Sequence, residues 1–147
     1  MRNRARTRPL VLLADDTADV REMYGMYLNM VGYHVETAAD GREAVRFARV
    51  SRPDVIIMDL QMPDMDGWAA IRELQRDART ASIPVIVLTG HDLKDYLRWS
   101  AMAEGAVSYL MKPTTPEALA NHIARCVEQH STRRTRGGRR VLFTNPR

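Results

Sequence analysis

Four aliphatic segments of this 147-residue chain each end in side chains that suit metal or phosphate chemistry. These side chains are Asp15 with Asp16, Asp59, Thr89 and Lys112. Three carboxylates in one place repel one another, and Mg²⁺ suits them because it takes hard oxygen ligands and often binds through carboxylates together with a phosphate. An ammonium and a hydroxyl suit a phosphoryl group, whose oxygens carry negative charge during transfer. The residue types therefore predict phosphoryl chemistry assisted by a divalent cation.

Lys112 is informative because the chain otherwise uses arginine for positive charge. It contains 20 arginines and two lysines, Lys94 and Lys112. An ammonium is a compact point charge with three donors, whereas a guanidinium is a planar fork. We interpret Lys112 as a residue that the site chemistry specifically requires.

The segments that must position these groups alternate between two hydrophobic patterns. Short aliphatic runs predict five strands, at 10–14, 33–38, 54–59, 83–88 and 106–111. Helical spacing of apolar residues predicts five helices between and after them, at 18–31, 41–52, 68–78, 93–103 and 115–128. Alternation of this kind predicts a parallel sheet with helices on both faces. Ligands bind such sheets at the carboxyl ends of the strands, which is where the polar groups fall.

Together these motifs resemble the receiver domain of two-component response regulators. The resemblance rests on four segments over roughly residues 9–130: Asp15-Asp16, the run DLQMPDMDG at 59–67, Thr89-Gly90 and the run YLMKP at 109–113. It implies a flavodoxin-like, doubly wound α/β fold with a five-stranded parallel sheet in the order 2-1-3-4-5.

The resemblance implies a role for each acidic residue of the site. Asp59 would be the phosphoacceptor. Asp16 and Asp59 would bind Mg²⁺ directly with the backbone carbonyl of Gln61, and Asp15 would act through water. Mn²⁺ is an alternative ion. Lys112 would contact the phosphoryl group and Asp59.

Further residues would transmit or terminate the signal. Thr89 would bond a phosphoryl oxygen in the active state, and Tyr109 occupies the position of the family's switch aromatic. The Lys112–Pro113 peptide bond would be cis, and X–Pro bonds are where that geometry is accessible. Gln61 and His91 would tune hydrolysis of the phosphoaspartate.

We therefore expect a stand-alone receiver that accepts a phosphoryl group from a sensor histidine kinase or a histidine phosphotransfer protein. A downstream protein would recognise the face built by the fourth predicted helix, the fifth strand and the fifth helix. Such a protein assists its own phosphorylation and dephosphorylation but turns over no external substrate, so we do not expect an enzyme. An aspartate-nucleophile phosphatase is disfavoured, because its usual second acid, two residues after the nucleophile, is replaced by Gln61.

The charge of the chain is unevenly distributed. The formal net charge is +4, yet residues 10–130 hold 12 basic and 18 acidic residues, a net charge of −6. The basic residues outside this range are arginines at 1–8 and 131–147, which we predict to be a flexible arm and a flexible tail around a receiver at 9–130. The alternative function is a phosphorylation-independent module that binds nucleic acid or acidic partners through these tails.

Other function classes are excluded by composition. Cys126 is the single cysteine, so there is no internal disulfide framework, and a reducing compartment, the cytoplasm, is expected. No apolar run approaches the length of about 18 residues that would span a membrane. We expect no sequence-specific DNA-binding domain, because the 17 residues of the tail are too few for a helix-turn-helix.

Overall fold

The computed structural model describes residues 7–90, 102–103 and 105–135. His91 and nearly all of the helix predicted at 93–103 lie outside the described residues, as do 1–6 and 136–147 of the predicted arm and tail. Met102 and Ala103, at the end of that predicted helix, are helical.

A single sheet of five parallel strands forms the centre of the molecule. The strands are β1 (Leu10–Ala14), β2 (His34–Ala38), β3 (Val55–Met58), β4 (Val85–Thr89) and β5 (Ala106–Met111). Their order in the sheet is β2-β1-β3-β4-β5, and every neighbouring pair is parallel. The predicted strand order and fold class are confirmed.

Among the described residues, four helices cover the two faces of the sheet. They are α1 (Ala18–Met30), α2 (Gly41–Ser51), α3 (Gly67–Arg76) and α4 (Pro116–Thr135). The start of α2 is stabilised by the Asp40 side chain, which accepts a hydrogen bond from the backbone N–H of Glu43. Asp66 caps α3 in the same way through the N–H of Ala69.

The last helix is longer than its apolar pattern predicts. The pattern ends at Glu128 and the predicted flexible tail begins at residue 131, whereas α4 continues to Thr135. Residues 131–135, at the start of the predicted tail, are therefore helical. Polar residues do not by themselves end a helix, and the first glycine that could do so is Gly137.

The core consists of two apolar clusters, one on each face of the sheet. Residues of α2 and α3 pack on one face, with Leu12 and Ile56 beneath them. Residues of α1 and α4 pack on the other, with Val11 and Ile57 beneath them. Successive side chains of a strand point to opposite faces, so β1 and β3 must be apolar at every position. In the described part of the chain, no helix combines the length and the apolar character needed to cross a membrane.

Candidate functional site

The sheet register brings the strand-end carboxylates together. Ala14 pairs with Met58, so the residues that follow, Asp15 and Asp59, leave neighbouring strands at the same level. The Asp59 N–H donates to the Ala14 carbonyl at 3.0 Å, and the Asp15 N–H donates to the Ala38 carbonyl at 3.0 Å. The sheet therefore fixes both backbones, as expected for the carboxyl edge of a parallel sheet.

Asp15, Asp16 and Asp59 form one acidic cluster. Each offers a carboxylate oxygen, and these oxygens all lie within 4.8 Å of one another. Asp15 and Asp59 are buried, with relative exposures of 1% and 6%, whereas Asp16 is exposed. One oxygen of Asp15 accepts the Thr17 N–H at 2.9 Å, and Oδ1 of Asp59 accepts the Gln61 N–H at 3.1 Å. Two buried carboxylates beside an exposed one leave an opening toward solvent on the Asp16 side.

Lys112 supplies the positive charge, but its shortest contact is not the expected one. Its Nζ donates to Oδ2 of Asp15 at 2.6 Å and lies 3.5 Å from Oδ2 of Asp59. The backbone N–H of Lys112 donates to the Thr89 carbonyl at 2.8 Å, which ties the end of β5 to the end of β4. The resemblance implied a contact to Asp59, and the structure adds Asp15 as the closer partner.

Burial and charge act in opposite directions on the pKa of the two groups. Burial raises the pKa of the Asp59 carboxyl, and the negative charges of Asp15 and Asp16 raise it further. The Gln61 N–H and the Lys112 charge lower the pKa, but burial outweighs them, so the net pKa of Asp59 is above its ordinary value. Burial lowers the pKa of Lys112, but the hydrogen bond to Asp15 and the neighbouring negative charges outweigh burial, so its net pKa is raised. The ammonium therefore stays charged at neutral pH.

Thr89 carries a buried hydroxyl that has no hydrogen-bond partner among the described residues. The residue is fully buried, with 0% relative exposure, and its Oγ1 is one of two buried side-chain oxygens of the described residues without a partner. Leaving a buried hydroxyl unpaired costs about 1–3 kcal/mol. A donor with no partner in the described part of the chain is free to bond a ligand or a modification, and it lies next to the Lys112 backbone.

Gly67 allows α3 to start directly against the phosphoacceptor candidate. A Cβ at this position would lie 2.1 Å from the carbonyl oxygen of Asp59, so any larger residue must displace the loop between β3 and α3. Gly41 has a similar role at the start of α2, where a Cβ would lie 2.1 Å from the carbonyl oxygen of Met65. Close backbone approach thus explains the glycine of the predicted loop.

The remaining predicted residues lie around this cluster. Gln61 is exposed and lines the same cavity as Asp59, which has a volume of about 760 Å³. Tyr109 is half-buried on β5, packed against the α2/α3 side of the core. The Lys112–Pro113 bond is cis, the geometry that the resemblance predicts.

Two residues of α1 contribute to the site, and sequence reasoning did not assign them there. The Arg21 guanidinium donates to the Asp15 carbonyl at 2.8 Å. The Tyr24 hydroxyl donates to the Thr114 carbonyl at 2.6 Å. The helical pattern identified Tyr24 as part of the apolar face, and nothing in that pattern indicates where its hydroxyl reaches.

The donor set fits a magnesium ion. Carboxylate oxygens of Asp15, Asp16 and Asp59 converge, and Gln61 lines the same cavity as Asp16 and Asp59. These are hard oxygen donors, with one open side for water and phosphate, which is the environment Mg²⁺ prefers. Among the residues that the structure describes, the cluster contains carboxylates alone, and oxygen donors of this kind favour Mg²⁺ over zinc.

Comparison with known proteins gives a consistent result. The family model described as "Response regulator receiver domain" matches residues 11–124. Protein PilH of Pseudomonas aeruginosa is 38% identical over 115 residues, which cover 77% of this chain and 93% of that protein. A probable transcriptional regulator, ycf27, of Guillardia theta is 37% identical over 118 residues, covering 80% of this chain and 44% of that protein. The chain thus spans about half the length of several curated relatives that it matches.

Solved structures with the same architecture include two receivers from bacteria. The chemotaxis response regulator CheY4 of Vibrio cholerae has a TM-score of 0.76 and 37% identity, covering 82% of this chain and 99% of that one. The receiver domain of the sensor histidine kinase PA1611 of Pseudomonas aeruginosa has a TM-score of 0.76 and 31% identity, covering 83% and 99%. That structure holds a magnesium ion in its active-site cleft.

Proposed function

This chain belongs to the response regulator receiver family of two-component signalling, and on that premise we propose that Asp59 is its phosphoacceptor. The observation that carries the proposal is the combination at one sheet edge of a buried carboxylate, an ammonium 3.5 Å from it, and a hydroxyl on the neighbouring strand that no described residue bonds. A phosphoryl group on Asp59 would satisfy both Lys112 and Thr89. The donor is a phosphohistidine of a sensor kinase or of a histidine phosphotransfer protein.

In the transfer step, an oxygen of the ionised Asp59 carboxylate forms a bond to phosphorus. The bond between phosphorus and the imidazole nitrogen of the donor breaks, and the nitrogen keeps the electron pair. Lys112 balances the negative charge of the transferring oxygens, which is largest in the transition state. Hydrolysis later transfers the phosphoryl group to water, giving inorganic phosphate and the free carboxylate. The chain therefore assists its own modification and turns over no external substrate.

A divalent cation is part of this proposal. Asp16, Asp59 and the Gln61 carbonyl would hold Mg²⁺ directly, with Asp15 acting through water and Mn²⁺ as an alternative ion. When bound, the ion supplies positive charge that offsets repulsion between the carboxylates and the incoming phosphate. Asp15 already accepts hydrogen bonds from Thr17 and Lys112, which supports its placement one water further from the ion.

Phosphorylation would act on the rest of the molecule through Thr89 and Tyr109. A hydroxyl without a partner gains one when the phosphoryl group arrives, and this differential contact is what can shift a two-state equilibrium. Tyr109 lies on β5, the strand beside Thr89, and a protein partner would recognise the face that includes β5 and α4.

The test is phosphorylation by a small donor. The protein is incubated with acetyl phosphate and MgCl₂, and intact mass is measured with and without EDTA. We expect a gain of one phosphoryl group that depends on the cation and is absent in Asp59→Asn. Asp64→Asn is the matched control, because Asp64 is an exposed acid of the same loop whose positive φ of 67° asparagine also tolerates. No gain in the wild type, or an undiminished gain in Asp59→Asn, would refute the proposal.

A further inference from the structure

The hydroxyl of Tyr24 joins α1 to the loop that follows β5. Tyr24 is buried, with 3% relative exposure, and its ring packs among the apolar residues between the sheet, α1 and α4. A phenylalanine would fill the same space, so core packing accounts for the ring and not for the hydroxyl. The hydroxyl instead donates a 2.6 Å hydrogen bond to the carbonyl of Thr114, a residue 90 positions away. Such a bond holds the receiving segment in place.

The segment that Tyr24 holds is the one that carries Lys112. Thr114 follows Lys112 after a single residue, Pro113, which has no N–H with which to fix the loop. The backbone of Lys112 is tied to Thr89 by a 2.8 Å hydrogen bond, and the Thr114 hydroxyl donates to the Met111 carbonyl at 2.7 Å. The first of these bonds fixes the start of the loop, the second is internal to it, and the Tyr24 bond fixes its far end to another element.

The element on the other side of this bond is the helix that organises Asp15. The N–H of Thr17, just before α1, donates to Oδ1 of Asp15, and Arg21 in the first turns of α1 donates to the Asp15 carbonyl. Asp15 in turn is the closest partner of the Lys112 ammonium, at 2.6 Å. Tyr24 therefore lies on the helix that holds Asp15 in place, and its hydroxyl bonds the loop that carries Lys112.

We propose that Tyr24 is a positioning residue, whose hydroxyl sets where the Lys112 ammonium lies relative to Asp15 and Asp59. The inference rests on the proposed phosphorylation of Asp59 for its kinetic consequence, whereas its structural consequence stands without it. Removing the hydroxyl frees the loop at Thr114 and lets the ammonium sample positions that stabilise a transferring phosphoryl group less well.

The kinetic test compares Tyr24→Phe with Tyr27→Phe. Tyr27 lies one turn further along α1 and packs against the same apolar cluster, so it controls for loss of a phenol. Rates are measured with acetyl phosphate, from which Asp59 takes the phosphoryl group while acetate leaves with the bonding electrons. We expect the saturating rate of Tyr24→Phe to fall roughly three- to tenfold, the range that corresponds to loss of one neutral hydrogen bond, with little change in KM. Tyr27→Phe should keep the wild-type rate.

Repeating the Tyr24→Phe measurement in a Lys112→Gln protein separates a positioning effect on Lys112 from a general loss of structure. In a Lys112→Gln protein, Tyr24→Phe should slow phosphorylation no further, because the group through which it acts is gone. A merely structural role would lower the rate by the same factor in both backgrounds, and that result would overturn the proposal.

The surroundings of the Lys112 side chain can also be followed directly by NMR. The chain has two lysines, so protein labelled with ¹³C-lysine gives two ε-methylene NMR signals, which Lys94→Arg assigns. Tyr24→Phe should shift the Lys112 signal and leave that of Lys94 unchanged, whereas Tyr27→Phe should move neither. An unmoved Lys112 signal would overturn the proposal. If the wild type takes up no phosphoryl group but the signal shifts, the proposed function fails and the positioning role stands.

Discussion

Replacing Thr89 with valine should stabilise the unphosphorylated protein, although the residue belongs to the proposed switch. Valine has nearly the shape of threonine and replaces the hydroxyl with a methyl group. The Thr89 hydroxyl is fully buried and has no partner in the part of the chain that the structure describes, so the folded protein carries a desolvation cost of about 1–3 kcal/mol that valine removes. We expect the free energy of unfolding to rise by roughly 1–2 kcal/mol, which corresponds to a Tm increase of about 3–8 °C for a domain of this size.

The assay is urea and thermal unfolding of the metal-free, unphosphorylated protein. Thr37→Val is the matched control, because Thr37 is an exposed strand residue whose hydroxyl carries no burial cost, and its substitution should stay within about 0.5 kcal/mol of the wild type. Thr89→Ser keeps the hydroxyl and deletes a buried methyl group, so it should destabilise by about 1 kcal/mol. A Thr89→Val protein that is no more stable than the wild type would show that the hydroxyl has a partner, and the reasoning would fail.

The same variants distinguish stability from signalling. After treatment with acetyl phosphate and MgCl₂, the wild type should gain stability, because the phosphoryl oxygens supply the partner that Thr89 lacks. Thr89→Val should gain less, although it starts from a higher Tm. An equal gain in both proteins would mean that Thr89 makes no bond to the phosphoryl group.

Three further substitutions test the site geometry. Asp59→Asn should raise the Tm in metal-free buffer, because burial raises the pKa of Asp59 and so makes its ionised form costly in the folded protein. The gain in Tm should be absent below the ordinary pKa of 3.8 and should grow as the pH rises through the folded-state pKa. A gain that does not depend on pH would contradict this reasoning. Lys112→Met leaves the buried Asp15 carboxylate without its ammonium, so it should lower the free energy of unfolding in urea by roughly 2 kcal/mol. Added Mg²⁺ should restore part of this loss. Unchanged stability would show that the 2.6 Å contact contributes nothing. Gly67→Ala places a Cβ 2.1 Å from a carbonyl oxygen, so it should lower the free energy of unfolding by about 2 kcal/mol and slow phosphorylation. The control is the helical substitution Gly25→Ala, whose Cβ meets only a methyl group at 3.9 Å. Equal thermal stabilities of the two variants would refute the packing argument.

Much of the site could be predicted because a parallel sheet constrains where its strands end. Asp15, Asp59 and Lys112 each follow an aliphatic strand and Thr89 ends one, and right-handed crossovers bring all these strand ends to one edge. The prediction needed residue types and periodicity alone, without contacts. The strand order and the family are confirmed, and the roles of individual site residues stay predictions.

What escaped prediction depends on side-chain direction and on helix length. The ring of Tyr24 fits the apolar pattern of α1, but its hydroxyl meets a carbonyl 90 residues later, a contact that no local pattern encodes. The predicted end at Glu128 was wrong for α4 because apolar periodicity reports which residues face the core and not how far the backbone continues once that face ends.

The amino-acid sequence by itself determined which chemistry gathers at the sheet edge, since alternating strands and helices leave a parallel sheet few arrangements. The tertiary structure alone decided how those groups pair: Lys112 hydrogen-bonds to Asp15 and lies further from Asp59, and the buried Thr89 hydroxyl has no partner among the described residues. These distinctions arise from the register of neighbouring strands and from the loop that carries the lysine, and a shift of about one ångström there changes which hydrogen bond forms.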